Sequence, residues 1–410
     1  MQYRCGKVNR MKNTRNVTDS VVWIGANDRR ISLFENMFPL DRGVSYNSYL
    51  ILDEKTAVMD TADTAVTGQF LENVQGTLDG RPLDYLVVNH MEPDHCANIE
   101  TLLRLYPEAK VVGNAKTFQM IGQFYDMDLT GRTVTVKEGD VLDLGSHKLQ
   151  FVFAPMVHWP EVMMAYDQTE KLLFSADAFG SFGALDALFN DEQDCPFADL
   201  AEMRRYFSNI VGKYGPQVQA VLKKAAGLEI SAICPLHGQI WRTDIAEVLK
   251  KHDQWSRYEA EEKAVAIFYA SMYGNTAEAA ETLAAMLAEA GVKNTVVYDV
   301  SRTHVSYLIS EIFRCSNIVL AAPTYNNGLY PAMLNLLEDM KALNLQNRTV
   351  SIIENGSWAP QSGKIMREMV SSLKGMNVSE KTVTIKSSVK EEQRQALKEL
   401  CAEICASLEA

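Results

Sequence analysis

No apolar run in this 410-residue chain reaches the roughly 18 residues that a membrane-spanning helix needs. The N-terminus also lacks a hydrophobic segment with a cleavage site, so neither a membrane span nor a secretion signal is expected. Basic residues are in the minority, 40 Lys plus Arg against 52 Asp plus Glu for a net charge of −12, which leaves no broad positive field for a nucleic-acid backbone. Cysteines number seven, an odd and scattered set with no C-x-x-C pair. That argues against a disulfide framework, a zinc ribbon, or a rubredoxin-like iron module fused to this chain. These absences point to a cytoplasmic protein whose electrons, if it uses any, come from elsewhere. Histidine is scarce too, with seven in all, and four of them fall into one array.

With 47% hydrophobic residues and this length, the chain is expected to hold two or three domains at roughly 100 to 200 residues each. Residues 1–16 form a basic extension expected to be disordered and without function. From 17 to about 260 the pattern is β-rich, with strands at Ser48–Leu52, Tyr85–Val88, Leu149–Phe153 and Leu172–Phe174 and helices near Ala115–Phe124 and Leu200–Ala226. A charged stretch from Asp244 to Glu262 reads as a connecting helix. From 261 to 410 the rhythm becomes regular: strands begin at Ala264, Thr295, Ile318, Thr349 and Lys381, and a helix follows each. This alternation predicts a parallel five-stranded sheet covered on both faces. Cys401 and Cys405, spaced along the apolar face of the last helix, read as core filler.

Three loops at strand exits in the C-terminal half carry ligand chemistry. The first is Ser271-Met272-Tyr273-Gly274-Asn275-Thr276, a hydroxyl- and amide-rich turn that opens a helix and aims N–H groups at a phosphate. It has neither the terminal Gly-Lys of a nucleoside-triphosphate loop nor a G-x-G-x-x-G, so a phosphate monoester fits best. The others are Pro323-Thr324-Tyr325-Asn326-Asn327 and Asn355-Gly356-Ser357-Trp358, each placing an aromatic ring beside backbone amides. In an open doubly wound sheet such loops meet at one crevice. Packed loop aromatics and ordinary helix capping would explain any one of the three, but not all three together. Residues 264–408 thus resemble a flavodoxin domain that binds FMN, with Tyr273 standing where the commonest phosphate loop has threonine.

In the N-terminal half, His90-Met91-Glu92-Pro93-Asp94-His95 packs four candidate ligands into six residues after an apolar strand. His158, Asp177 and His237 each follow a further strand. Buried structural histidines would not need this density. The pattern resembles the metallo-β-lactamase fold, an αββα sandwich with a binuclear site at one edge, whose hydrolase motif is H-x-H-x-D-H. Here Glu92 replaces the second histidine. A hard anionic oxygen in place of an imidazole favours iron over zinc, and redox chemistry over hydrolysis. On this resemblance His90, Glu92 and His158 serve one metal, and Asp94, His95 and His237 the other, with Asp177 able to bridge a pair about 4 Å apart. His147, His252 and His304 read as structural, Cys96 and Cys234 as buried thiols, and Trp159 as a shield beside His158.

An αββα sandwich with this motif followed by a flavodoxin-like domain resembles the flavodiiron proteins, or A-type flavoproteins, over residues from about 17 to 408. The resemblance implies FMN, a non-haem diiron centre, reduction of O2 to water or NO to N2O, and a head-to-tail homodimer or dimer of dimers. It also implies a separate donor such as rubredoxin. FMN hydroquinone with two ferrous ions holds four electrons, enough for O2; two NO molecules need two. Three alternatives stand beside it: a zinc hydrolase with an appended flavodoxin domain, an electron carrier with a vestigial metal site, and a flavin-dependent sensor. Glu92 counts against the first, and the full ligand set against the others.

Overall fold

The computed structural model describes residues 13–195, 197 and 199–409. The chain divides into two compact units, one built from residues up to 203 with 217–250, the other from 204–216 with 251–410. Among the described residues, no helix is long and apolar enough to cross a membrane.

The first unit holds two large sheets. One runs in the order Arg15–Asn16, Val21–Trp23, Tyr49–Leu52, Thr56–Met59, Tyr85–Val87, Lys110–Gly113 and Thr133–Thr135. Its first four strands pair antiparallel and the rest parallel, because the chain crosses over through the helices Thr67–Leu78 and Ala115–Phe124. The other runs Val141–Asp143, Lys148–Phe153, Met163–Asp167, Leu172–Phe174 and Ala232–Cys234. Val21, Tyr49 and Val87 of the first meet Phe151, Met163 and Phe174 of the second in one fully buried cluster, so the sheets pack face to face. Cys96 and Cys234 are buried thiols, as expected.

Two local expectations are corrected. Arg15–Asn16, inside the stretch expected to be disordered, form a strand on Val22–Trp23, and Arg15 makes a bidentate ion pair with Glu192; residues 1–12 lie outside the described ones. The single helix expected over 200–226 is broken into Leu200–Tyr206, a π turn, a short 3-10 turn and Gly215–Ala225. The cause is tertiary. A Cβ at Gly215 would stand 2.3 Å from the Ser256 carbonyl oxygen, and Pro216 cannot donate to a continuing helix.

The second unit is a parallel sheet in which Glu262–Tyr269 is flanked by Val296–Asp299 on one side and by Cys315–Tyr325, Thr349–Asn355 and Asn377–Ile385 in turn on the other. The 2-1-3-4-5 strand order places a switch point beside the first strand, where the first and third strands' exit loops diverge. Helices Asn275–Glu289 and Glu391–Glu409 bury Ala279, Leu283, Leu397 and Cys401 against it, with Cys405 at the margin. The connecting helix covers Ile245–Ser256, where His252 packs on Phe207 and Trp255. His304 caps the helix Val305–Arg314.

Candidate metal centre and flavin cleft

Every candidate ligand of the first unit sits just past a strand's C-terminal end. His90 follows Tyr85–Val87, and Pro93 starts a single helical turn, Pro93–Cys96, that carries Asp94 and His95 with Glu92 at its N-cap. His158, Asp177 and His237 follow the strands ending at Phe153, Phe174 and Cys234. All seven are buried.

They converge in two sets that share one carboxylate. Glu92 Oε2 lies 3.3 Å from His90 Nε2 and 3.0 Å from His158 Nε2. Asp177 Oδ2 lies 3.3 and 3.2 Å from the same two nitrogens. Its other oxygen, Oδ1, lies 3.2 Å from His95 Nε2 and 3.8 Å from His237 Nε2, and Asp94 Oδ2 stands 3.5 and 3.2 Å from those two. Asp177 therefore presents one oxygen to each set, the arrangement a bridging carboxylate needs.

The donors fit a pair of cations. Both oxygens of Asp94 and of Asp177 are buried without a hydrogen-bond partner, a costly arrangement for a carboxylate unless positive charge fills the space between them. His95 Nε2 and His237 Nε2 face each other at 3.0 Å. His237 Nδ1 donates to the Ser45 carbonyl at 2.7 Å, so its Nε2 carries a lone pair toward the cluster. Two imidazole lone pairs at that distance repel unless a cation or a proton stands between them. The charges respond in kind: burial opposes ionisation, yet the imidazoles of His158 and His90 hold the Glu92 carboxyl well below its usual range, and those of His90 and His95 do the same for Asp177. Burial lowers the histidines, but Asp94 and Asp177 push His95 up to about 9, and Asp177 and Glu92 push His158 up to about 9.

Sequence reasoning missed the groups that hold these ligands. Glu161 Oε1 accepts from His90 Nδ1 and from the Met91 amide, both at 2.8 Å. Asp60 accepts from the Asn89 and His90 amides, and burial pushes its carboxyl up to about 6. For Glu35, burial first, then the neighbouring Glu92, pushes the carboxyl up to about 8. None of these carries a spacing signal. Trp159, named as a shield, sets its ring edge-on to His90 at 5.4 Å and to His158 at 6.2 Å.

A third group, His147, Asp167 and Glu170, looks similar in composition but differs in saturation. Asp167 accepts from His147 Nδ1 at 2.8 Å and from the Thr169 and Glu170 amides, while Thr18 and Ser20 hydroxyls donate to Glu170. Its oxygens are already satisfied, so it reads as a structural clamp. The hydrogen bond to Asp167 raises His147 above the ordinary 6.5. Burial opposes the Asp167 charge, yet His147 holds that carboxyl below 3.8. A raised histidine stabilises fully below 6.5 and loses its contribution as pH rises through the folded value; a lowered aspartate contributes above 3.8. His147→Gln is thus expected to lower Tm most between about pH 4 and 6.5, with the deficit shrinking at higher pH. Thermal melts of both proteins across pH check this, and a deficit that grows with pH would contradict it.

In the second unit, all the expected loop residues except Gly274 and Tyr325 line one cavity of about 450 Å³, joined by Ala359 and by Ser387 from the fifth strand's exit. Gly274 supplies the turn instead, at φ +96° as cap of the helix Asn275–Glu289, with its amide donating to Ser271 Oγ at 3.0 Å. Asn355 ties the loops together through Thr276 Oγ1 and the Ser387 backbone. Tyr273 and Trp358 are 91% and 89% exposed, large rings standing free at the rim. Hydroxyls and a helix N-terminus together with open aromatic rings fit a phosphorylated flat ring system.

Residues 44–238 match the ODP family beta lactamase description, and residues 267–401 match flavodoxin. The chain is 32% identical to an anaerobic nitric oxide reductase flavorubredoxin of Aeromonas hydrophila, over 83% of this chain and 70% of that protein. The chain belongs to the flavodiiron protein family. It is also 30% identical to an uncharacterized protein of Methanocaldococcus jannaschii, over 92% of this chain and 94% of the relative. Among solved structures, the rubredoxin:oxygen oxidoreductase of Desulfovibrio gigas superposes with a TM-score of 0.90 at 28% identity, covering 97% of this chain and 98% of the other. The flavodiiron protein of Giardia intestinalis gives 0.90 at 25% identity over 97% and 98%. As a flavodiiron protein, the chain is an oxidoreductase with an FMN domain and a diiron domain.

Proposed function

We propose that this flavodiiron protein reduces O2 to water, NO to N2O, or both, with electrons reaching it from a separate reduced carrier such as rubredoxin. The observation that carries this reading is Asp177, whose two buried oxygens each face a separate ligand set. His90, Glu92, His158 and Asp177 would hold one iron, and Asp94, His95, His237 and Asp177 the other. When bound, the iron pair supplies open coordination positions for a diatomic gas, and FMN supplies two of the electrons.

The chain's own residues do the rest. Glu161 and the Ser45 carbonyl fix the ring orientations of His90 and His237, so their Nε2 atoms point inward without a search over tautomers. The Trp159 and Phe34 ring edges make the cluster's walls apolar, which suits an uncharged gas and excludes water. Ser271 and Thr276 with the helix N-terminus would take the FMN phosphate, while Trp358 would cover its ring. Glu92 supports iron over zinc, which sets this reading ahead of a hydrolase. Two copies paired head to tail, each flavin serving the partner's irons, belong to the same reading.

The test is anaerobic turnover of the iron- and flavin-loaded protein with each gas and one common reduced donor. Consumption of at least one gas, with water or N2O as product, is expected. Inertness toward both, with zinc-dependent ester hydrolysis in its place, would contradict the proposal.

A further inference from the structure

The loop 235–238, which carries His237, leaves the strand Ala232–Cys234 with no regular structure of its own, so its buried backbone groups need partners from elsewhere. One side chain supplies several of them. Asn47 lies fully buried between the strands Val44–Tyr46 and Tyr49–Leu52. Its Nδ2 donates to the Pro235 carbonyl at 2.9 Å and to the Gly238 carbonyl at 2.8 Å, one on each side of His237. Its backbone amide donates to the Leu236 carbonyl at 2.8 Å, and Tyr49 Oη supports the Pro235 carbonyl at 2.8 Å. The Asn47 Oδ1 accepts from Trp23 Nε1 at 3.0 Å. An indole only donates and a carbonyl only accepts, so these partners fix which way the amide points.

The same loop is tied to the bridging carboxylate from its other side. The Leu236 amide donates to the carbonyl of Ala176, the residue before Asp177, at 3.0 Å, and the Gly238 amide donates to Ser45 Oγ at 2.8 Å. Carbonyls held on both flanks of a residue set where its side chain starts, and the bond from His237 Nδ1 to the Ser45 carbonyl then sets how the ring turns. We propose that Asn47 is a positioning residue for His237: its two donations fix the backbone around that ligand, so that Nε2 stands ready for the metal it would share with Asp94, His95 and Asp177. This inference rests on the reading of the cluster as a diiron site. Asn73 offers a built-in comparison. It is as deeply buried and donates to the Ile24 and Gly25 carbonyls at 3.2 and 3.0 Å, on a segment that carries no candidate ligand.

The test loads the wild type, Asn47→Ala and Asn73→Ala with ferrous iron anaerobically, and measures iron per chain after gel filtration beside thermal melts and circular dichroism. Both substitutions take a buried amide away from two carbonyls, so both are expected to lower Tm. Only Asn47→Ala is expected to bind one of its two irons roughly 10- to 100-fold more weakly, the range for residues that orient a ligand from behind, and to emerge with one iron where the wild type and Asn73→Ala keep two. Asn47→Asp keeps the size of the side chain and the acceptor for Trp23 but not both donations; it carries the test if the alanine variant does not fold, with the same loss of one iron expected. Two firmly held irons in the folded Asn47 variant would overturn the positioning role. Equal loss from Asn73→Ala would overturn it too, since the effect would then follow stability. A wild type that holds no iron would overturn the diiron reading itself and the proposal with it, a distinguishable failure.

Discussion

Replacing Asp177 with alanine is expected to empty both metal positions, lower gas turnover by more than about 100-fold, and leave FMN bound. The expected size follows from position. Removing a residue that merely orients a ligand costs roughly 10- to 100-fold in metal affinity or activity, and Asp177 faces both ligand sets at once. Its loss leaves the Nε2 atoms of His90 and His158 without one of their two carboxylate neighbours and removes the oxygen 3.2 Å from His95. The flavin cleft lies in the other unit and shares no residue with the cluster. Metal and flavin content measured on one preparation check the split. Full activity in the variant would contradict the assignment of Asp177, and loss of both cofactors would point to misfolding instead.

The converse variant is Gly274→Val. Gly274 sits at φ +96°, where a β-branched residue is strained, and a Cβ there would meet no atom within 4 Å. The effect therefore acts through the backbone of the phosphate turn alone. A left-handed residue other than glycine costs roughly 1–2 kcal/mol, and more with branching at Cβ, so FMN affinity should fall by about tenfold or more. Gly274→Asn, which tolerates that conformation, should fall much less. Fluorescence titration of the flavin-free protein with FMN measures both; equal affinities for wild type and Gly274→Val would show that the turn does not need its left-handed geometry. If two copies work head to tail, mixing Gly274→Val with Asp177→Ala at limiting FMN should give more turnover than the two measured separately.

What could be read from the residues beforehand follows a physical divide. The flavodoxin-like half was legible in its order of strands and helices, though the strands expected from Ile318 and Lys381 begin at Cys315 and Asn377, because buried parallel strands and amphipathic helices write strong local periodicities. The helix Thr67–Leu78 was missed: two glycines and two threonines in TGQFLENVQGTL mask its apolar face, which tertiary burial of Phe70 and Val74 then stabilises. At the site, candidate ligands clustered in six residues announced themselves. Their supports did not, since Glu161 lies 71 residues from the His90 it orients. Ser387 was within reach of the strand-exit argument, being two residues past Ile385, and was not drawn from it.

The central claim is that a carboxylate-rich pocket selects paired iron, and elemental analysis of the purified protein tests it most directly. The account predicts two iron atoms per chain and little zinc. Zinc in stoichiometric amount with less than one iron per chain would contradict it.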